Sequence, residues 1–178
     1  MVELFLEKLN VFKYFPDVDL DLVELAMTDK QPMGNNRNFN SLIDILDAKY
    51  GVRKSKLNNS TLAFYGDTVL DMIVVDRIRD WYGINVSSSK LTFVRKEMVS
   101  NQKLLMFSRE LDICCSIFGK CNGDQKLKSH NSCTESMEAI IGVLYFQYGI
   151  QSLYDISTWF FSLPPIYAYF EDVAYNLF

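Results

Sequence analysis

Two long apolar segments, residues 61–82 and 133–148, constrain the fold more than any other feature of this sequence. Each carries apolar residues at helical spacing and is followed by a glycine that ends the predicted helix. Each also contains an internal glycine, Gly66 in the first and Gly142 in the second. Glycines in a helix let a second helix approach closely, so the pattern is typical of two core helices that can cross in contact.

The rest of the chain also shows helical spacing. Further helices are predicted over residues 4–15, 17–27, 40–50, 102–111, 152–162 and 167–178, and between the serines at 87–89 and residue 99. Polar connections are predicted over residues 31–39, 52–60 and 119–130. With no alternating strand pattern and no internal repeat, we expect an all-α fold with one domain over residues 1–165 and a C-terminal helical extension over residues 166–178.

Composition and charge narrow the function classes. The 18 lysines and arginines against 22 acidic residues give a net charge of −4, which argues against a protein that coats nucleic acid along its whole surface. This net charge is compatible with an enzyme that contacts RNA through a local basic rim. The N-terminus lacks a secretory pattern, and the apolar stretches fall short of the roughly 18 residues of a membrane span. We therefore expect no membrane contact, reduced cysteines, and an intracellular protein of the cytoplasm or nucleus.

Three of the carboxylates in the two long segments are candidates for one site. Glu135 and Glu138 are three residues apart and share one helix face, and Asp67 directly follows Gly66. If the two helices cross, these groups come together, and such a cluster is costly to bury without a divalent cation. Oxygen ligands favour Mg²⁺ or Mn²⁺ over Zn²⁺. The alternative is that all three are ordinary surface positions of amphipathic helices.

Four blocks of the chain resemble ribonuclease III domains. Residues 59–70 read NSTLAFYGDTVL against the family signature N-E-R-L-E-F-L-G-D-A-V-L, and residues 134–142 read TESMEAIIG against A-D-T-F-E-A-L-I-G. Residues 91–104 match L-T-x-x-R-x-x-x-V-x-N-x-x-L, and residues 15–28 are similar to the family's opening helices. The blocks follow one another in the family's order.

The resemblance implies the ribonuclease III endonuclease domain fold as a dimeric helical bundle. It also implies cleavage of double-stranded RNA by a homodimer with Mg²⁺, or Mn²⁺ as a substitute, leaving 5′-phosphate and 3′-hydroxyl ends with short 3′ overhangs. Asp67 and Glu138 would be the catalytic, metal-binding carboxylates, with Glu135 where an aspartate is usual. Phe64 matches the aromatic residue that packs across the two-fold interface; the alternative for it is core packing.

The chain departs from the family signature at two positions. Ala63 stands in place of the glutamate that completes the acidic cluster, and Ser60 replaces another glutamate. The compact Mini-III branch resembles this chain in having alanine at the first of these positions. Asp71 lies one turn after Asp67 and either supports the site through water or is merely solvated. The alternative function is therefore a catalytically impaired domain that serves dimerisation or RNA binding in a ribosomal or RNA-processing complex.

RNA contacts are predicted on the dimer surface, since no segment resembles a double-stranded-RNA-binding domain. The candidates are Lys120, Lys126 and Lys128 in the loop before the acidic helix, with Lys96 and Lys103 as weaker ones. A solvated loop face is the alternative. Because duplex RNA is recognised mainly by shape, backbone and 2′-hydroxyl contacts, strict sequence preference is not expected.

Overall fold

The computed structural model describes residues 2–28, 37–51, 58–117 and 130–177, with helices and no β-strand in these ranges. The predicted all-α class is confirmed. The helices are α1 (Val2–Lys8), α2 (Val11–Tyr14), α3 (Leu20–Ala26), α4 (Arg37–Tyr50), α5 (Asn59–Tyr82), α6 (Ser88–Val99), α7 (Asn101–Glu110), α8 (Ile113–Ser116), α9 (His130–Tyr148), α10 (Leu153–Ser162) and α11 (Pro164–Tyr175). A 3₁₀ turn, Ile150–Ser152, precedes α10.

The centre of the molecule is the pair α5 and α9, around which the other helices pack. Helix α5 begins after Asn58, whose side chain accepts a hydrogen bond from the backbone amide of Thr61 at 2.9 Å. It ends before Gly83, which has a φ of 71° that a side chain would disfavour. One face of α5 is buried along its whole length, as the apolar spacing requires.

Two internal glycines allow α5 and α9 to cross with their backbones in contact. A Cβ atom added at Gly66 would lie 1.7 Å from the carbonyl oxygen of Glu138, and one added at Gly142 would lie 1.9 Å from that of Leu62. No side chain fits at either position. The expected close approach of the two helices is therefore confirmed.

The first predicted helix, residues 4–15, is wrong as a single element. It is divided into α1 and α2 by Asn10, which takes a left-handed conformation with a φ of 54°. Asparagine tolerates this conformation better than most residues. The break is held in place from outside, because the Nε1–H of Trp159 donates to the carbonyl oxygen of Leu9 at 2.8 Å.

The other boundaries differ by smaller amounts. Helix α11 begins at Pro164, three residues before the predicted start, since proline is favoured in the first turn of a helix. Helix α8 was not predicted, and α4 begins inside the predicted loop at 31–39. Ile166 and Phe170 of α11 are buried in the same core as the rest of the chain. The division at residue 165 stays a prediction.

Two of the cysteines are joined. Cys114 of α8 and Cys133 of α9 form a disulfide with their Cα atoms 4.9 Å apart, while Cys115 is a free, exposed thiol. The expectation of reduced thiols is wrong for this pair, because α8 brings together two cysteines that are distant in sequence. Among the described helices, none combines the length and apolar character that crossing a bilayer requires.

Candidate active site

A pocket of about 280 Å³ opens where α5, α7 and α9 meet. It is lined by Ser60, Ala63, Phe64 and Asp67 from α5, by Asn101 from α7, and by Glu135 and Glu138 from α9. All three carboxylates predicted from the sequence therefore lie in one place, although they come from segments about 70 residues apart in the chain. Asp67 is exposed, and Glu135 and Glu138 are half-buried.

The helix crossing sets the geometry of the pocket. Gly66 lies against the backbone of Glu138, so Asp67 and Glu138 sit beside the point of closest approach. Ala63 is buried, with 5% of its surface exposed, and presents only a methyl group to the pocket. The position of the missing signature glutamate is thus on the pocket wall, and its loss removes an oxygen donor from the site.

The surroundings of Asp67 disfavour its charge. Partial desolvation raises the pKa of the Asp67 carboxyl, and the nearby negative charge of Asp71 raises it further. The guanidinium of Arg95 opposes both effects. Arg95 is held by Asp71, with 2.6 Å between its Nη1 and the carboxylate Oδ2. Asp71 is therefore neither free nor merely solvated: it is the partner of an arginine one turn from the pocket.

The donor set is suited to a hard divalent cation. The polar groups of the pocket present carboxylate, carboxamide and hydroxyl oxygens, the ligand atoms that Mg²⁺ and Mn²⁺ prefer. Within the described residues, no three His, Cys, Asp or Glu side chains form a group that could hold an ion. Mg²⁺ is commonly bound by one or two carboxylates while it keeps several waters, and the pocket fits that mode.

Comparison with known proteins decides the family. Residues 60–149, which run from the second residue of α5 past the end of α9 and include every pocket residue, match the model of the ribonuclease III domain. The chain belongs to the ribonuclease III domain family.

Curated relatives of this ribonuclease III domain are named ribonuclease 3. The protein from Syntrophomonas wolfei is 28% identical over 100 residues, which cover 54% of this chain and 42% of that protein. The protein from Borreliella afzelii is 32% identical over 95 residues, which cover 52% of this chain and 38% of that protein. The match thus spans about two fifths of the length of these relatives.

Solved structures agree on the fold. The nuclease domain of ribonuclease III from Campylobacter jejuni is similar with a TM-score of 0.64 and 20% identity, over 93% of this chain and 98% of that one. A second structure of the same nuclease domain gives a TM-score of 0.61 and 19% identity, over 91% of this chain and 93% of that one. The first was described for flexibility in the region that forms its dimer.

Two pocket residues of this ribonuclease III domain were not predicted as site residues. Asn101 is the first residue of α7 and Ser60 the second of α5, and both reach the pocket from helix N-termini. Asn101 is the asparagine of the second family block, so its match was the signal available in the sequence. Ser60 was noted only as the replacement of a glutamate.

Phe64 lies at the edge of the pocket and is not a core residue. Its side chain is 71% exposed, so the alternative of core packing is excluded for the isolated chain. Met72 and Val75 follow on the same face of α5, and both are exposed. They line a shallow hollow of about 460 Å³ beside the Asp71–Arg95 pair. This ribonuclease III domain therefore presents a stripe of exposed apolar side chains next to its acidic pocket, interrupted by the charged Asp71, Asp76 and Arg79.

The predicted RNA-binding lysines Lys120, Lys126 and Lys128 lie outside the described residues. Lys96 is exposed on α6. Lys103 lies on α7, and its Nζ is 4.1 Å from the centre of the Tyr169 ring.

Proposed function

We propose that this ribonuclease III domain is a metal-dependent endoribonuclease that cleaves double-stranded RNA. The observation that carries the proposal is the single pocket that Asp67, Glu135 and Glu138 line beside the crossing of α5 and α9. Membership of the family supplies the class of reaction. The products would carry 5′-phosphate and 3′-hydroxyl ends with short 3′ overhangs.

Asp67 and Glu138, with Glu135 beside them, would hold Mg²⁺, or Mn²⁺ in its place. Bound there, the ion would activate a water and offset the charge that develops on the phosphodiester. The neutral carboxamide of Asn101 lies where it can orient a phosphate oxygen without adding negative charge. The backbone contact at Gly66 keeps the two carboxylate-bearing helices at a fixed separation. A pre-set separation is what positioning of a reacting group requires.

We further propose that the chain acts as a homodimer through the exposed stripe of α5. Phe64, Met72 and Val75 are apolar and exposed, and Phe93 of α6 is also 48% exposed. Exposed apolar residues gathered on one face are typical of protein interfaces. Replacing Phe64 by glutamate should convert a dimer into a monomer in a light-scattering measurement. The same substitution at Tyr154, which is 70% exposed on α10, is the matched control.

The deciding experiment is incubation of the purified protein with long double-stranded RNA, with and without Mg²⁺ or Mn²⁺. We expect cleavage by the unchanged protein, and a loss of roughly a hundredfold or more in Asp67→Asn and Glu138→Gln, since each removes a metal ligand. Asp155→Asn, at an exposed position on α10, should cleave normally. Cleavage that survives both pocket substitutions would place the activity elsewhere.

Ala63→Glu separates an active enzyme from an impaired one. If the chain is active as it stands, the added carboxylate should lower the metal concentration needed for half-maximal cleavage. If the unchanged chain leaves RNA intact with either metal and Ala63→Glu cuts it, the native chain is the impaired domain of the alternative. If neither cuts, the enzymatic proposal fails.

A further inference from the structure

A second concave surface adjoins the acidic pocket. A groove of about 820 Å³ runs along the exposed face of α7 and past the start of α9. Its lining includes Gln102, Lys103, Met106 and Arg109 from α7, and Asn131 from α9. Asn101 lines both the groove and the acidic pocket, so the two concavities share a wall.

We propose that this groove binds the sugar–phosphate backbone of an RNA strand on one side of the cleavage site. The proposal rests on the proposed function, because it assigns the path of that substrate away from the acidic pocket. The groove adjoins the acidic pocket at Asn101. An RNA strand that leaves the pocket past Asn101 therefore enters the groove directly.

The charges of the groove suit phosphate. No ion pair within the described residues involves Arg109, which is exposed on the groove wall. Lys103 is held over the Tyr169 ring, and the contact with that tyrosine raises the pKa of its ammonium, as do the nearby carboxylates of Glu97 and Asp172. Glu110 also lines the groove and opposes these cations, leaving a net positive charge.

The spacing of the two cations suits a strand more than a single anion. Lys103 and Arg109 are six residues apart on α7, or about 9 Å along the helix axis. Two cations at that separation can contact different phosphates of one strand. Their positions lead away from the acidic pocket, whose charged side chains are carboxylates.

The uncharged lining suits ribose. Gln102 and Asn131 carry amide groups that both donate and accept hydrogen bonds, as contacts to a 2′-hydroxyl require. Leu105 and Met106 are half-buried apolar residues on which a sugar can pack. A surface that reads backbone and ribose without a deep base pocket matches recognition of duplex RNA by shape.

The test measures binding without cleavage. Fluorescence anisotropy of a labelled RNA duplex is recorded with Asp67→Asn protein in Ca²⁺ at several salt concentrations. In that background, Arg109→Glu should weaken binding about tenfold, as expected for loss of a charge-assisted contact to phosphate. The salt dependence should also become shallower by about one counterion. Lys13→Glu, an exposed position on α2, makes the same change in charge and should leave affinity and salt dependence unaltered.

Equal affinities for Arg109→Glu and Lys13→Glu would overturn the groove proposal. Loss of thermal stability in Arg109→Glu without loss of RNA binding would also overturn it, because Arg109 would then support the fold and not contact RNA. The proposed function fails separately. A protein that binds a duplex through Arg109 but never cleaves RNA would support the groove proposal and contradict the endoribonuclease proposal. A protein that cleaves RNA and binds it equally well without Arg109 would support the endoribonuclease proposal and contradict the groove proposal.

Discussion

Asp19 and Asp67 are aspartates beside the same helix, α9, but their surroundings are opposite. Asp19 is buried, accepts a hydrogen bond from the backbone amide of Asp21 at 3.0 Å, and has the Lys49 Nζ at 2.6 Å from its Oδ2. The Tyr50 hydroxyl also donates to it. The Asp67 carboxylate is exposed, and within the described residues it makes no hydrogen bond or ion pair.

The pKa directions follow from these partners. Burial alone would raise the pKa of Asp19, but the hydrogen bonds from Lys49, Tyr50 and the backbone outweigh it and hold the pKa below its usual range. The pKa of Asp67 is raised because desolvation and the charge of Asp71 are opposed only by the charge of Arg95, with no hydrogen bond to the carboxylate. A carboxylate satisfied by the protein stabilises the fold, whereas one left without partners is available to a ligand.

Helix α9 connects the two regions. At its C-terminal end, the Gln147 Oε1 accepts a hydrogen bond from the Asp19 backbone amide at 2.8 Å, and the Gln147 Nε2 donates to the Asp17 carbonyl at 2.7 Å. Toward its N-terminal end, α9 carries Glu135 and Glu138 of the pocket. The helix is thus anchored by polar contacts at one end and by the glycine crossing near the other.

The largest effect is expected at the crossing itself. Gly66→Ala should lower the free energy of unfolding by about 3 kcal/mol, because the added methyl group overlaps backbone that cannot move aside. This loss should occur although alanine favours a helix by up to about 1 kcal/mol. Urea denaturation measures it. Gly51→Ala, at a φ of 61° with nothing within 4 Å of the added Cβ, is the matched control with only a backbone penalty of about 1 kcal/mol. Equal losses at both glycines would contradict the close crossing.

A smaller loss of unfolding free energy is expected when the hydrogen-bonded carboxylate of Asp19 is removed. Asp19→Ala should cost about 2 kcal/mol, since it removes the N-cap of α3 and the partners of Lys49 and Tyr50. Thermal denaturation monitored by circular dichroism would show it. Asp21→Ala, in the same first turn but not the cap, should cost less than half as much. An unchanged stability of Asp19→Ala would contradict a stabilising role for the Asp19 carboxylate.

The lowered pKa of Asp19 predicts that the stability of the fold depends on pH. The pKa of Asp19 is lower in the folded chain than its unfolded value near 3.8. Its contribution to stability is therefore complete above about pH 4 and is lost as pH falls through the folded pKa. The difference in unfolding free energy between the unchanged chain and Asp19→Ala should shrink between pH 6 and pH 3. A difference independent of pH would show that the carboxylate charge is not what stabilises this cluster.

The smallest effect is expected at Asp67. In metal-free buffer, Asp67→Asn should change the free energy of unfolding by no more than about 0.5 kcal/mol, because no protein partner is lost. Adding Mn²⁺ should then stabilise the unchanged chain but not the variant, as a ligand that binds only the folded state does. A large metal-free loss in Asp67→Asn would make Asp67 a structural residue like Asp19.

Much of the fold was predictable because helices depend on local spacing. The bounds of α5 differ from the prediction by two residues at one end, and Gly83 and Gly149 end their helices as expected. The division between α1 and α2 was not predictable. It depends on a left-handed Asn10 and on a hydrogen bond from Trp159, about 150 residues away in sequence. A local pattern carries no information about such a partner.

By itself, the sequence determined the family, most of the helices and the three candidate carboxylates, since periodicity, glycines and motif spacing are local properties of the chain. Only the tertiary structure decided which side chains share the pocket. Asn101 and Ser60 line it from separate helices, whereas Asp71 is paired with Arg95 of α6 and does not line it. The tertiary structure likewise determined that Asp19 is satisfied and Asp67 is not. Whether a carboxylate has partners depends on which helices pack beside it, and no spacing within one segment specifies that.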